Sequence, residues 1–250
     1  MNAPFKPLAV FRPTTLEWWT VTLLTFYVLV MWDFSGLDLA VMQHIGTAHG
    51  FPERDNFWLS TVGHIWARNA GTVLLIGVWI AVWRPIAGWR RFERRERLTM
   101  AVATTVALLA VNVIKRHSGT SCPWDLDQFG GTAHWVSHWS WWVAGDGGPG
   151  GCFPGGHAST ALAFIGLAWP GLSTPEDSAR WRFGQWALWL SLAGGAVLGA
   201  VQLWRGAHPP SHSVWTAWIC WTASGVVFGL CRRWRARGLL ARAAHLSEGP

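Results

Sequence analysis

Long apolar stretches without one formal charge dominate this chain, and they restrict it to folds that can hold whole helices out of water. They run over Trp18–Trp32, Asn69–Trp83, Leu98–Ile114, Gly147–Thr174, Phe183–Trp204 and Gly206–Cys231. A helix crosses a bilayer with about 20 apolar residues, so the last four stretches reach across unaided. The first two draw on Glu17 and Arg68 at the interface. Only 13% of the 250 residues are charged, against about a quarter in a soluble domain. Trp18, Trp19, Trp32, Trp83, Trp204 and Trp234 stand near the span ends, as interfacial aromatic belts do. The expected fold is therefore all-α: an integral membrane bundle of six transmembrane helices. It forms one polytopic domain over residues 1–250, with an Arg-rich tail at 232–250.

A net charge of +7 would suggest nucleic acid in a soluble protein, but its distribution excludes that partner. Six arginines crowd the short loop from Arg84 to Arg97, and five more lie between Arg232 and Arg242. With both segments cytoplasmic, six spans place both termini inside, and Lys6, Arg12, Arg180 and Arg182 join them. This is the positive-inside asymmetry of a membrane protein. The first apolar run begins late and lacks a small-residue cleavage site, so it reads as an uncleaved anchor. Two long connections, about residues 33–62 and 115–156, then fall on the outer side.

Three polar clusters emerge on that outer face. "NVIKRHSGTSCPWDLDQFGG" follows the third span, "CFPGGHAS" precedes the fourth helix, and "VQLWRGAHPPSHSVW" joins the last two. Lys115 is one of two lysines in the chain; alone, it would serve equally well as a helix-end charge that complements the macrodipole. Three clusters on one face favour a shared site. Lysine and arginine beside the glycine amides of Gly155 and Gly156, at a helix N-terminus, suit a phosphate. His157 and His208 come from different helices and can divide phosphoryl transfer between nucleophile and acid.

These clusters resemble, in order and topology, the three motifs of the type 2 phosphatidic acid phosphatases, the PAP2 superfamily: Lys-x6-Arg-Pro, Pro-Ser-Gly-His and Ser-Arg-x5-His-x3-Asp. Lys115 and Pro123 match the first, Pro154, Gly156 and His157 the second, and His208 the nucleophilic histidine of the third. The resemblance covers about residues 98–231. It implies a PAP2-like helical core, a phosphohistidine formed on His208, His157 as general acid, Lys115 on the phosphate, and neither metal nor other cofactor. The implied substrate is a lipid mono- or diphosphate, met at the periplasmic face of a bacterial inner membrane.

The departures from the motifs are Cys122, Gly155, Gln202 and His212, which replace Arg, Ser, Arg and Asp. Two lost arginines remove two bidentate phosphate clamps; Arg205 and Arg116 are the nearest replacements. His212 replaces the carboxylate that would orient the nucleophile, and Asp125 or Asp127 is the alternative source of one. Cys122 and Cys152 share the outer side, where a disulfide suits an oxidising compartment; two free thiols are the other reading. His134, His138 and these two cysteines are numerous enough to ligate a metal but show no compact ligand spacing. The "HWVSHWSWW" segment reads either as a lid or as an interfacial anchor, and Arg68 as a residue that snorkels or reaches the site. Besides hydrolysis, phosphotransfer to a second lipid uses the same first half-reaction. A non-catalytic membrane module that binds anionic lipid or metal is the rival of another class. Oligomeric state is not written in the sequence.

Overall fold

The computed structural model describes residues 15–140 and 145–247, without the side chains of Thr15 and residues 238–247; Lys6, Arg12, Trp141, Trp142 and the Arg242 side chain fall outside the described residues. Helix α1 (Thr15–Asp33) turns through 60° into α2 (Leu37–Ile45). A π-helical stretch, Trp58–Trp66, runs directly into α3 (Ala67–Trp83). Helices α4 (Arg94–His117), α5 (Ser159–Leu162), α6 (Trp169–Leu172), α7 (Ser178–Trp204) and α8 (Pro210–Ser247) complete the chain, with a 3-10 turn at Ala163–Leu167 between α5 and α6. Among the described residues the regular structure is wholly helical.

Four helices are long and apolar enough to cross a membrane: Trp58–Trp83, α4, α7 and Pro210–Arg237 within α8. The bent pair α1–α2 makes a fifth if it counts as one span. Several such helices are the mark of a membrane protein, and Leu23, Leu24, Val73, Leu74, Trp189 and Leu190 lie exposed on their outward faces. The six expected spans are not all present as long helices. Gly147, Gly150 and Gly151 all adopt positive φ, a conformation open to glycine and closed to a helix. The chain from 147 to 158 is therefore loop, and the fourth apolar stretch is helical only in short pieces from Ser159 to Leu172. The second expected span, by contrast, reaches back from Asn69 to Trp58, which carries His64 and Arg68 into it.

Helix ends are set by local chemistry. Glu93 and Glu96 form a reciprocal capping box at the start of α4, whose last turn holds Lys115, Arg116 and His117; both ends complement the dipole. The Asp177 carboxylate accepts from the Ala179 and Arg180 amides to begin α7. Arg180 pairs with Glu96 at 2.5 Å and Arg235 with Glu93 at 2.8 Å. These pairs gather the start of α4, the start of α7 and the late part of α8 at one end of the bundle. Lys115, Trp204 and Pro210 therefore lie at the other.

The core forms around α4 and α8. Ala107, Val111, Leu162, Ile165, Trp169, Ile219 and Cys220 are buried together, and the Trp169 indole donates to Ser224 Oγ at 2.9 Å. Close packing depends on small residues, as membrane helices do. A Cβ on Gly184 would sit 2.7 Å from the Leu172 nitrogen and 2.8 Å from the Ala168 oxygen, so α6 meets α7 backbone to backbone.

Candidate active site

The loop between α4 and α5 is folded on Asp146. Its buried carboxylate accepts from the Ser121 amide at 2.5 Å, the Ser121 hydroxyl at 2.8 Å and the Gly148 amide at 3.0 Å. Residues 150–152 then lie against the end of α4, with Gly151 N–H donating to Ser118 O at 2.7 Å and Cys152 N–H to Thr120 O at 2.8 Å. Cys122 and Cys152 are joined by a disulfide. The next residues are held by α8: Gly155 N–H donates to His212 O at 3.0 Å, and Thr216 Oγ1 donates to Gly155 O at 3.1 Å.

Between α7 and α8 the chain turns at Gly206, φ 72°, where a Cβ would overlap the Phe51 ring. The Ala207 and His208 amides both turn back onto Gln202 O, at 2.9 and 3.3 Å. His208 is thereby buried, with Nδ1 3.3 Å from Cys152 Sγ. A disulfide sulfur carries no hydrogen, so the imidazole is the donor in this contact. The same sulfur sits 3.1 Å from Ala207 O as a close contact.

Lys115, from the last turn of α4, donates from Nζ to Cys152 O at 3.3 Å. Its stem fills the space beside Gly156, where a Cβ would lie 3.1 Å from Lys115 Cδ. Arg205 is also buried. It donates from Nε to Arg54 O at 2.9 Å, and from Nη1 to His64 Nδ1 at 2.6 Å and to Gln202 Oε1 at 3.2 Å. The His64 and His157 rings have centroids 3.7 Å apart. Lys115, His157, Arg205 and His208 thus converge from three chain segments, and His64 joins them from a fourth.

The electrostatics follow from burial among cations. Desolvation first, then the charges of His64, Lys115, Arg205 and Arg68, push His157 down to about 3. His208 is held well below the ordinary histidine range by burial, then by Lys115 and its neighbouring histidines. Both imidazoles are neutral at pH 7, within a net positive field. His157 Nδ1 and His212 Nδ1 are buried without a hydrogen-bond partner. A site with surplus positive charge and unpartnered ring nitrogens is built to receive an anion.

Other expected residues have different places. Gly155 spends its amide on His212 O, so that N–H is committed to the fold and not to a ligand. The helix after His157 is a four-residue turn followed by 3-10 structure, which makes it a short dipole. Arg116 is exposed. Asp127 pairs with exposed His134 at 2.8 Å, and Asp125 gives its carbonyl to the Thr132 and Ala133 amides. Among the described residues neither carboxylate is bonded to His208 or His212. His212 is buried with its ring centroid 5.7 Å from that of His208. Gln202, where the motif carries Arg, accepts from Arg205 instead.

Three positions, His64, Asp38 and Asp33, escaped the sequence reading. His64 and Arg68 stand four residues apart on one helix face, a spacing that marks a shared surface once a helix is known to pass there. Asp38 is buried in α2 and accepts from Trp32 Nε1 at 2.8 Å, Ser211 N–H at 3.0 Å and the Ser211 hydroxyl. It caps the start of α8 from a distant segment. Asp33 accepts from the Trp139 and Trp215 indoles, each at 2.9 Å, with His138 Nε2 at 3.2 Å. The "HWVSHW" part of the loop between α4 and α5 is thus tied to the end of α1. A cavity of about 650 Å³, lined by Phe26, Ile114, His138, Phe153, Trp215 and Trp218 among others, lies beside it.

The family model described as "PAP2 superfamily" matches residues 97–236, more than half of the chain. No curated protein and no solved structure matches it.

Proposed function

We infer the activity from one premise: the chain belongs to the PAP2 superfamily, whose members are phosphatases. Its substrate is a lipid mono- or diphosphate, and it works at the end of the bundle remote from the arginine-rich segments. That end faces the periplasm of a bacterial inner membrane, with both termini in the cytoplasm. The observation that carries this reading is the convergence of Lys115, His157, Arg205 and His208 in one partly buried cationic cluster, at the end of long apolar helices.

Lys115 and Arg205 hold the non-bridging phosphate oxygens. The His208 Nδ1–H points at Cys152 Sγ, which leaves the Nε2 lone pair for attack on phosphorus. The N–P bond forms as the bond to the leaving oxygen breaks, and His157 delivers a proton to that oxygen. Burial first, then the neighbouring cations, depress His157; arrival of the phosphate dianion offsets the cationic part and so favours protonation of the acid when substrate is bound. Water then attacks phosphohistidine, His157 takes its proton, and inorganic phosphate leaves with His208 restored. The apolar cavity beside Phe153 gives lipid chains a place next to the catalytic loop.

The test is phosphate release by purified protein in detergent with EDTA, over a panel of lipid phosphates, beside His208→Ala and His157→Ala. Release that is indifferent to EDTA and lost in both variants is expected. Full release by His208→Ala would overturn the assignment of the nucleophile.

A further inference from the structure

The disulfide beside the proposed nucleophile is a group that hydrolysis itself leaves unused. One ligand atom each from Cys122, Cys152 and His208 lies within 4.8 Å of the others. His208 reaches the pair through Nδ1, at 3.3 Å from Cys152 Sγ. Cys152 and His208 are buried, whereas Cys122 is partly exposed and gives access from solvent. While the sulfurs are bonded to each other they are poor ligands. Reduced, they are two thiols beside an imidazole, a donor set of the kind zinc takes.

We propose that opening the Cys122–Cys152 disulfide turns its two sulfurs and His208 Nδ1 into a three-ligand site for a thiophilic divalent cation, zinc above all. A dithiol reductant supplies two electrons and two protons: the S–S bond breaks, each sulfur becomes a thiol, and the reductant closes to its own disulfide. Zinc binding then releases both thiol protons to solvent and takes the Nδ1 lone pair, with water in the fourth position. A neutral imidazole metallated at Nδ1 carries its hydrogen on Nε2. The nitrogen assigned to attack phosphorus has no lone pair in that form. The oxidised protein is thus the working, metal-independent state, and the reduced, metal-loaded protein is silent. The metal site stands on geometry alone; the silencing rests on the proposed function.

Cobalt(II) makes the site visible without any lipid substrate. Wild-type protein in detergent is reduced with a dithiol, freed of reductant without air, and titrated with cobalt beside an oxidised sample. One cobalt per reduced chain is expected, with a sulfur-to-metal charge-transfer band and tetrahedral visible bands, and none in the oxidised sample. Cys122→Ser and Cys152→Ser should bind at least about 100-fold more weakly, and His208→Gln at least about 10-fold more weakly. Cys231→Ser, at a free thiol remote from the site, should bind as wild type does. His208→Ala provides a second histidine variant should the glutamine form not fold. The same spectrum before and after reduction would overturn the proposal, as would undiminished binding in both histidine variants. Lipid phosphate release, measured on the same samples, separates the two readings. Cobalt binding with turnover untouched would support the metal site and overturn His208 as nucleophile.

Discussion

Arg205 Nη1 and His64 Nδ1 meet at 2.6 Å across 141 residues of sequence. A guanidinium can only donate, so His64 accepts at Nδ1 and carries its hydrogen on Nε2. Its ring rests against His157, at 3.7 Å between centroids. His64 therefore holds Arg205 in the cluster and presents a donor of its own beside His157.

Loss of His64 should act on binding before chemistry. A hydrogen bond to a charged group contributes about 1.5–3 kcal/mol, so His64→Ala is expected to raise KM about 10- to 100-fold with a smaller change in kcat. His64→Asn retains a short acceptor and should recover part of the loss. Steady-state kinetics on the preferred lipid phosphate decide it; an unchanged KM in the alanine variant would remove His64 from the site.

The two histidines proposed as nucleophile and acid should fail in different ways. His208→Ala abolishes the acid-labile phosphoenzyme and lowers turnover to background. His157→Ala slows turnover about 10²- to 10⁴-fold, the usual reach of general acid catalysis, and still forms phosphohistidine from a substrate whose leaving group needs no proton. Rapid quench with labelled substrate reads both. Phosphoenzyme in His208→Ala would point to another nucleophile.

Acid should destabilise the protein through His157. Its folded value is about 3, against about 6.5 unfolded. Between those values the unfolded chain binds the extra proton. Stability from this group is therefore full above pH 6.5 and lost as pH falls towards 3, by up to about 1.4 kcal/mol per pH unit. Thermal unfolding in detergent at pH 7.5 and pH 5 should show a smaller acid-induced fall in Tm for His157→Gln than for wild type. Equal falls would contradict the burial of this imidazole among cations.

Asp38 should matter for stability far more than its place in a short helix suggests. Asp38→Ala leaves the Ser211 amide and the Trp32 indole without their acceptor, at a cost of about 2–4 kcal/mol. Ser211→Ala leaves the amide bond intact and should cost less. Unfolding curves of the two variants test the order.

Two glycines make a control pair for helix packing. Gly184→Ala forces a methyl against the backbone of α6 and should cost about 1–3 kcal/mol. At Gly77 a Cβ meets nothing within 4 Å, so Gly77→Ala should be neutral or stabilise by about 0.5–1 kcal/mol. Equal Tm values for the two would mean that α6 and α7 do not pack as described.

Much of the site was legible because its chemistry sits in short motifs at helix ends. Lys115 directly follows an apolar run, and His157 and His208 stand just before the starts of helices at Ser159 and Pro210, so covalent spacing places them without any knowledge of packing. Arg205 was legible as the nearest arginine to a vacant motif position. His64 was not, because a lone histidine beside a short apolar run says nothing until the π-helical stretch Trp58–Trp66 extends that run past it. Nor was Asp38, whose partners Ser211 and Trp32 are brought to it by the 60° bend between α1 and α2.

By itself the sequence determined the material of this protein: apolar helices, basic charge gathered in a few segments, and three polar clusters at span ends. Those features follow from hydropathy and spacing along the chain, which are local. Only the tertiary structure decided which groups share one space. It set Cys152 sulfur against His208, Arg205 against His64, Gly155 against the His212 carbonyl, and Asp127 on His134 rather than on a catalytic ring. Such partnerships depend on helix packing and on where each loop finds acceptors for its buried amides. Both are properties of the folded whole.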